Sequence, residues 1–171
     1  MHFETDANEF IEVKVKPKGI ISYGEEQGDE MKHAMEMPFV AILPASYILP
    51  RLAIQEADLR PSLMFHRHDG TVRHLGIKEI KVDREFYSYR MTISFSPLDT
   101  EGQAETFVCP LIQVTKMTPM EKGMMEVEFT AKLHPFKEED IGRLSKKGTE
   151  IGQKQCFLQF EERQKDLANA A

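Results

Sequence analysis

The chain has 171 residues, of which 41% are hydrophobic and 29% charged, with a net charge of −6. This length suits one domain with a core that needs no metal or disulfide staple, and no apolar run approaches the roughly 20 residues of a membrane helix. The acidic balance argues against a protein coated in phosphate-binding residues, yet the charge is uneven. Nine acids face four bases from Met1 to Glu36, and seven bases face four acids from Arg60 to Arg90, so the two regions can meet head to tail in an oligomer.

In chain order, MHFETDANEF carries acids where a secretory signal has a basic and then an apolar stretch, so no export address and a cytoplasmic location are expected. Phe10 to Lys16 alternates apolar and charged residues and predicts a half-buried strand that ends at Pro17 to Gly19. A short extended piece follows at Ile20 to Tyr23. Gly24 to Glu36 is polar, with Met31, Ala34 and Met35 at helical spacing, and reads as a short surface helix or loop. Pro38 to Pro44 encloses five apolar residues and predicts a segment buried on both sides. Pro50 limits any helix in Tyr47 to Leu59 to Arg51 to Leu59, where proline is tolerated at the start.

Leu63 to His68 and Thr71 to Ile77 flank Asp69-Gly70, which suits a two-residue type I′ hairpin, with a bulge expected near Gly76. Lys78 to Val82 reads as strand and Asp83 to Glu85 as a turn. Phe86 to Ser96 is the clearest strand: Tyr87, Tyr89, Met91, Ile93 and Phe95 alternate with Ser88, Arg90, Thr92, Ser94 and Ser96. Thr106 to Thr115 and Met124 to Leu133 follow at hairpin distance, predicting a three-strand antiparallel meander. Pro110 calls for an edge or a bulge at that point, because proline cannot donate to a ladder. Pro135 to Lys147 has acids first and lysines last, followed by Gly148, the order of a helix with a glycine stop. Lys154 to Phe160 leans towards a strand, and the tail from Gln164 reads as helical or frayed. The expected fold is mainly β, a single-domain antiparallel barrel or sandwich with a few short helices.

Chemical signals are sparse. Cys109 and Cys156 are too far apart for a zinc ribbon and lie among apolar neighbours, which predicts buried free thiols. No P-loop, dinucleotide fingerprint, nucleophile elbow or HExxH motif occurs, and no cofactor is assigned. Paired acids at Glu25-Glu26, Asp29-Glu30, Glu138-Glu139-Asp140 and Glu161-Glu162 read as solvated charge. His66 and His68 share a strand face and can hold a metal, whereas a two-residue turn puts His74 opposite Phe65, on the other face. Tyr87 and Tyr89 resemble a base-stacking platform, but their place on the core-like face favours burial. Ten methionines read mostly as core filling.

The leading expectation is a non-enzymatic binding or structural protein, acting as a homo-oligomer or with a protein partner in an assembly, with a phage-like or bacterial assembly as the context that suits it. The alternative is a nucleic-acid-binding module of oligonucleotide-binding-barrel type that uses Arg67, Arg73, Lys78, Arg84 and Arg90. A second alternative is a metal-dependent enzyme centred on His66 and His68. No membrane partner is expected.

Overall fold

The computed structural model describes residues 3–5, 9–55, 64–66, 72–74, 79–95, 104–151 and 155–163. Strand β1 (Ile11–Val15) alternates buried and exposed residues. Strands β2 (Ile21–Gln27) and β3 (Glu30–Pro44) form a hairpin, and helix α1 (Ala45–Arg51) follows. A small separate ribbon pairs β4 (Met64–His66) with β5 (Val72–His74). The meander is β6 (Ile80–Ser94), β7 (Ala104–Pro119) and β8 (Met124–Phe136), followed by α2 (Glu138–Ile151) and β9 (Gln155–Glu162).

Six strands run in the order β1-β9-β6-β7-β8-β3, and β1 then pairs with β3 to close the ring; β2 hangs on β3 as a seventh strand. All pairings are antiparallel. The fold is therefore mainly β and antiparallel with short helices, as expected, and the sheet closes into a ring as a barrel, one of the two expected forms, does. The closing ladder is short, running only from Val13↔Ala41 to Val15↔Phe39.

A ring of this size is filled by its own side chains. Phe129 lies at its centre, with ring centroids 5.5 Å from Phe39, 5.7 Å from Phe3 and 6.0 Å from Phe160. Phe3 plugs the barrel from the N-terminal segment, and its N–H donates to the buried Tyr89 hydroxyl at 3.0 Å. Helix α1 buries Ile48 and Leu49, with Leu52 just beyond, while α2 buries Ile141 and Leu144. Cys109 and Cys156 are buried free thiols, and burial pushes both up to about 12, which keeps them protonated and inert.

Several local readings change. Gly24 to Glu36 is a hairpin arm, turned at Gly28-Asp29 with Gly28 at φ 66°, as a type II′ turn uses. Ala34 and Met35 are buried in succession, which breaks the alternation, and the β3–β8 register shifts at the same place, between His33 and Met35. Pro38 to Pro44 is buried on one face only: Phe39, Ala41 and Leu43 point inward, while Val40 is half-buried and Ile42 is 49% exposed on the outside of the barrel. Asp83 to Glu85 is no turn, because β6 runs through it with a bulge between Lys81 and Arg84.

The strand around Phe86 changes face midway. Ser88 takes φ 67°, so Phe86 and Tyr89 point inward while Tyr87 points outward and is 60% exposed. Pro110 falls opposite Ser88, between the Tyr87↔Leu111 and Tyr89↔Cys109 pairs, and the buried positions of β7 switch parity there too. The β7–β8 ladder begins only at Leu111, so the proline occupies a local edge where no donor is needed.

Both helices also depart from expectation. Helix α1 precedes Pro50 and contains it in its last turn, because burying Ile48, Leu49 and Leu52 outweighs the one hydrogen bond that proline lacks. Helix α2 passes through Gly148 instead of stopping there. A Cβ at Gly148 would lie 2.8 Å from Ile20 Cδ1, so the glycine serves the close approach of helix to barrel.

Helix α1 ends in a Schellman motif, with Ile54 N–H donating to Leu49 O at 2.9 Å and Ala53 N–H to Pro50 O at 3.0 Å. Ala53 holds φ 53°, the position where glycine is usual. An Ala53→Gly variant is expected to gain about 0.5–1 kcal/mol and about 1–4 °C in Tm, since the left-handed strain exceeds the extra unfolded-state entropy of glycine. Thermal and urea unfolding check this; an unchanged or lower Tm would contradict it.

Candidate functional site

Of the residues singled out in the sequence, His66 and Arg73 lie on the separate β4–β5 ribbon and Arg84 and Arg90 on β6. Arg67, Lys78 and His68 lie outside the described residues, as does the Asp69-Gly70 turn. His66 is paired with Val72 and His74 with Met64, so five residues separate the paired ends instead of two. This register puts positions 66 and 74 on one face, contrary to the two-residue turn, which pairs His66 with Arg73. Arg73 sits opposite Phe65 on the same ribbon. Arg84 and Arg90 are both exposed on β6 but stand six residues apart, roughly 20 Å, across the kink at Ser88. Arg84 donates to the Leu52 carbonyl at 3.4 Å and is flanked by Asp83 and Glu85, while Arg90 is opposite Glu161. These two arginines make no continuous basic strip. Among the described residues, no group of three or more His, Cys, Asp or Glu side chains is placed to hold a metal ion.

The outer face of the barrel instead carries two ion-pair networks. In the first, Glu25 reaches across β3 to β8, where Lys132 Nζ lies 2.5 Å from Oε1 and His134 Nε2 lies 3.2 Å from Oε2. Tyr23 donates to Glu36 at 3.1 Å, and Lys132 also stands 5.7 Å from the centre of the Tyr23 ring. Ala34, fully buried opposite Tyr23, is small enough to let these longer side chains cross the strand. Glu25 is thus the exception to the reading of paired acids as solvated charge. In the second network Glu128 accepts from Lys16 and, at 2.9 Å, from Lys116. Burial raises the Glu128 carboxyl, but the two ammonium groups outweigh it and hold the pKa below the ordinary value.

Two features remain unabsorbed by these networks. A groove of about 870 Å³ runs beside the turn Pro17–Gly19, with Pro38 and Val40 as its apolar floor and Lys14, Lys16 and Lys18 at its side. Lys16 is committed to Glu128, whereas Lys14 and Lys18 are exposed. The second is β2, the terminal strand of the sheet, paired only with β3 among the described residues. Ile21 on β2 and Met31 on β3 are 53% and 67% exposed. The sequence reading missed both; Gly28-Asp29 between two extended runs was the available signal for the hairpin. No helix among the described residues is long and apolar enough to cross a membrane. No protein-family model matches the chain, and neither a curated protein nor a solved structure matches it.

Burial, the largest effect on His134, lowers its pKa below 6.5; Glu25 opposes this, and Lys132 and Lys32 add to the lowering. The unfolded chain then binds more protons than the folded one from about pH 6.5 downward, so this group's contribution to stability is complete above that pH and is lost as pH falls through the window. A His134→Gln variant is expected to show a shallower loss of stability than the parent between about pH 6.5 and 5, read from urea unfolding at a series of pH values. Parallel curves for the two proteins would contradict it.

Proposed function

We propose that this chain is a non-enzymatic binding or structural protein that works as a homo-oligomer or as a component of a larger assembly, in the cytoplasm. The observation that carries this reading is the seventh strand: the barrel closes on its own six strands, its interior is filled, and β2 keeps one side of its backbone unpaired among the described residues. An unpaired edge is a template for another strand, and natural sheets shield such edges unless they use them. A phage-like or bacterial assembly is the setting this architecture suits. Light scattering from micromolar to hundreds of micromolar protein is expected to give at least twice the 19.7 kDa chain mass. A strict monomer across that range, at low and moderate salt, would overturn the reading.

A second reading, an oligonucleotide-binding barrel, draws on the groove. Lys14 and Lys18 beside an apolar floor combine phosphate attraction with a surface on which a base or other flat group can lie. Fluorescence anisotropy with single-stranded oligonucleotide at low salt is expected to show binding that weakens steeply with salt and is lost in a Lys14→Glu, Lys18→Glu variant. No binding at tens of micromolar protein would remove this reading.

A further inference from the structure

We infer that the occupant of the β2 edge is the β2 strand of a second copy of this chain, running antiparallel with Gly24 on the two-fold axis. The inference rests on the self-association proposed above and adds its partner and register.

Hydrogen-bond parity comes first. The β2–β3 ladder runs without a register shift from Ile21↔Glu36 to Gln27↔Glu30 and is closed by the two-residue turn Gly28-Asp29. The residues that flank such a turn exchange both hydrogen bonds, and bonded residues then alternate along the strand. Residues 21, 23, 25 and 27 therefore direct their backbone groups to β3. Ser22, Gly24 and Glu26 direct theirs away from it, to the open side. A symmetric antiparallel partner must pair this second set with itself.

Charge then selects among the registers that parity permits. Centring the pair on Gly24 sets Ser22 against Glu26, Tyr23 against Glu25 and Ile21 against Gln27, using all seven residues with no acid opposite an acid. Moving the axis to Glu25 or Glu26 sets like charges directly opposite each other, which is destabilising. Moving it to Tyr23 avoids that clash but shortens the paired β2 segment. Gly24 has no side chain to obstruct the axis.

Directly opposed hydrogen-bonded residues in an antiparallel pair have Cα atoms about 5.5 Å apart, within the roughly 4.4–6.8 Å range of a disulfide. Under mild oxidation, Gly24→Cys is expected to form a reductant-sensitive dimer on a denaturing gel. A mixture of Ser22→Cys and Glu26→Cys chains is expected to form the mixed dimer, while neither forms one alone, because like positions stand more than roughly 13 Å apart. The natural cysteines are buried and stay out of the reaction. A Cβ at Gly24 would meet Met31 Cε at 2.7 Å, a flexible end, so Gly24→Cys is also made with Met31→Ala. The Ser22 and Glu26 mixture, which leaves Gly24 in place, decides if neither Gly24→Cys form folds.

Oligomers by light scattering with the Ser22–Glu26 cross-link establish the register. Oligomers without that cross-link, or with Tyr23→Cys or Glu25→Cys dimerising instead, overturn the Gly24-centred pairing while leaving self-association standing. A monomer at every concentration removes both.

Discussion

Everything in this barrel depends on the phenylalanine cluster around Phe129. Its rings come from β3, β6, β8, β9 and the N-terminal segment, in the persons of Phe39, Phe86, Phe129, Phe160 and Phe3. A sheet of this length could stay open, and the ladder that closes it, between β1 and β3, is short. The buried aromatic rings, which contribute roughly 1.5–3 kcal/mol each for full burial, favour the curvature that short ladder only completes. Residues 3–5 are drawn into the same arrangement: Phe3 enters the core, and Thr5 N–H donates to the Phe160 carbonyl at 3.1 Å.

Curving long strands around so small a core requires breaks in regular pleating. The paired kink at Ser88 and Pro110 and the bulges at His33/Met35, Lys81/Arg84 and Val114/Lys116 supply them. Each break re-aims side chains. At Ser88 it sends Tyr87 to the surface, where it donates to Glu85, and keeps Tyr89 inside as the acceptor for Phe3. At His33/Met35 the β3–β8 register shifts, and β2 pairs with residues 30–36 of β3 while β1 pairs with residues 39–41.

The excess of acid near the N-terminus looks, in one dimension, like a surface for a basic partner. Folding consumes part of it where Glu25 meets Lys132 and His134, while Glu128 takes up Lys16, a base of that same region, together with Lys116. These pairs link β2 to β8, and β7 and the residue after β1 to β8, across the outer face; being partly exposed, each adds little to stability. Among the described residues, one side of the β2 backbone and the lysine-edged groove stay uncovered.

The sequence by itself determined the meander of β6, β7 and β8, the half-buried β1, the strand character of β9 and the buried thiols, because alternation and local composition are written residue by residue. The same alternation misled wherever a bulge or a left-handed residue intervened, as at Ala34-Met35 and Ser88, since no local pattern records a shift of register. Proline and glycine misled as well: Pro50 and Gly148 both read as helix boundaries, yet both lie within helices whose apolar residues cap the barrel. The candidate site was the least legible part. Ring closure, the partners of Glu25 and Glu128, and the exclusion of β2 all join residues far apart in the chain, and only the three-dimensional packing of the aromatic core decides them.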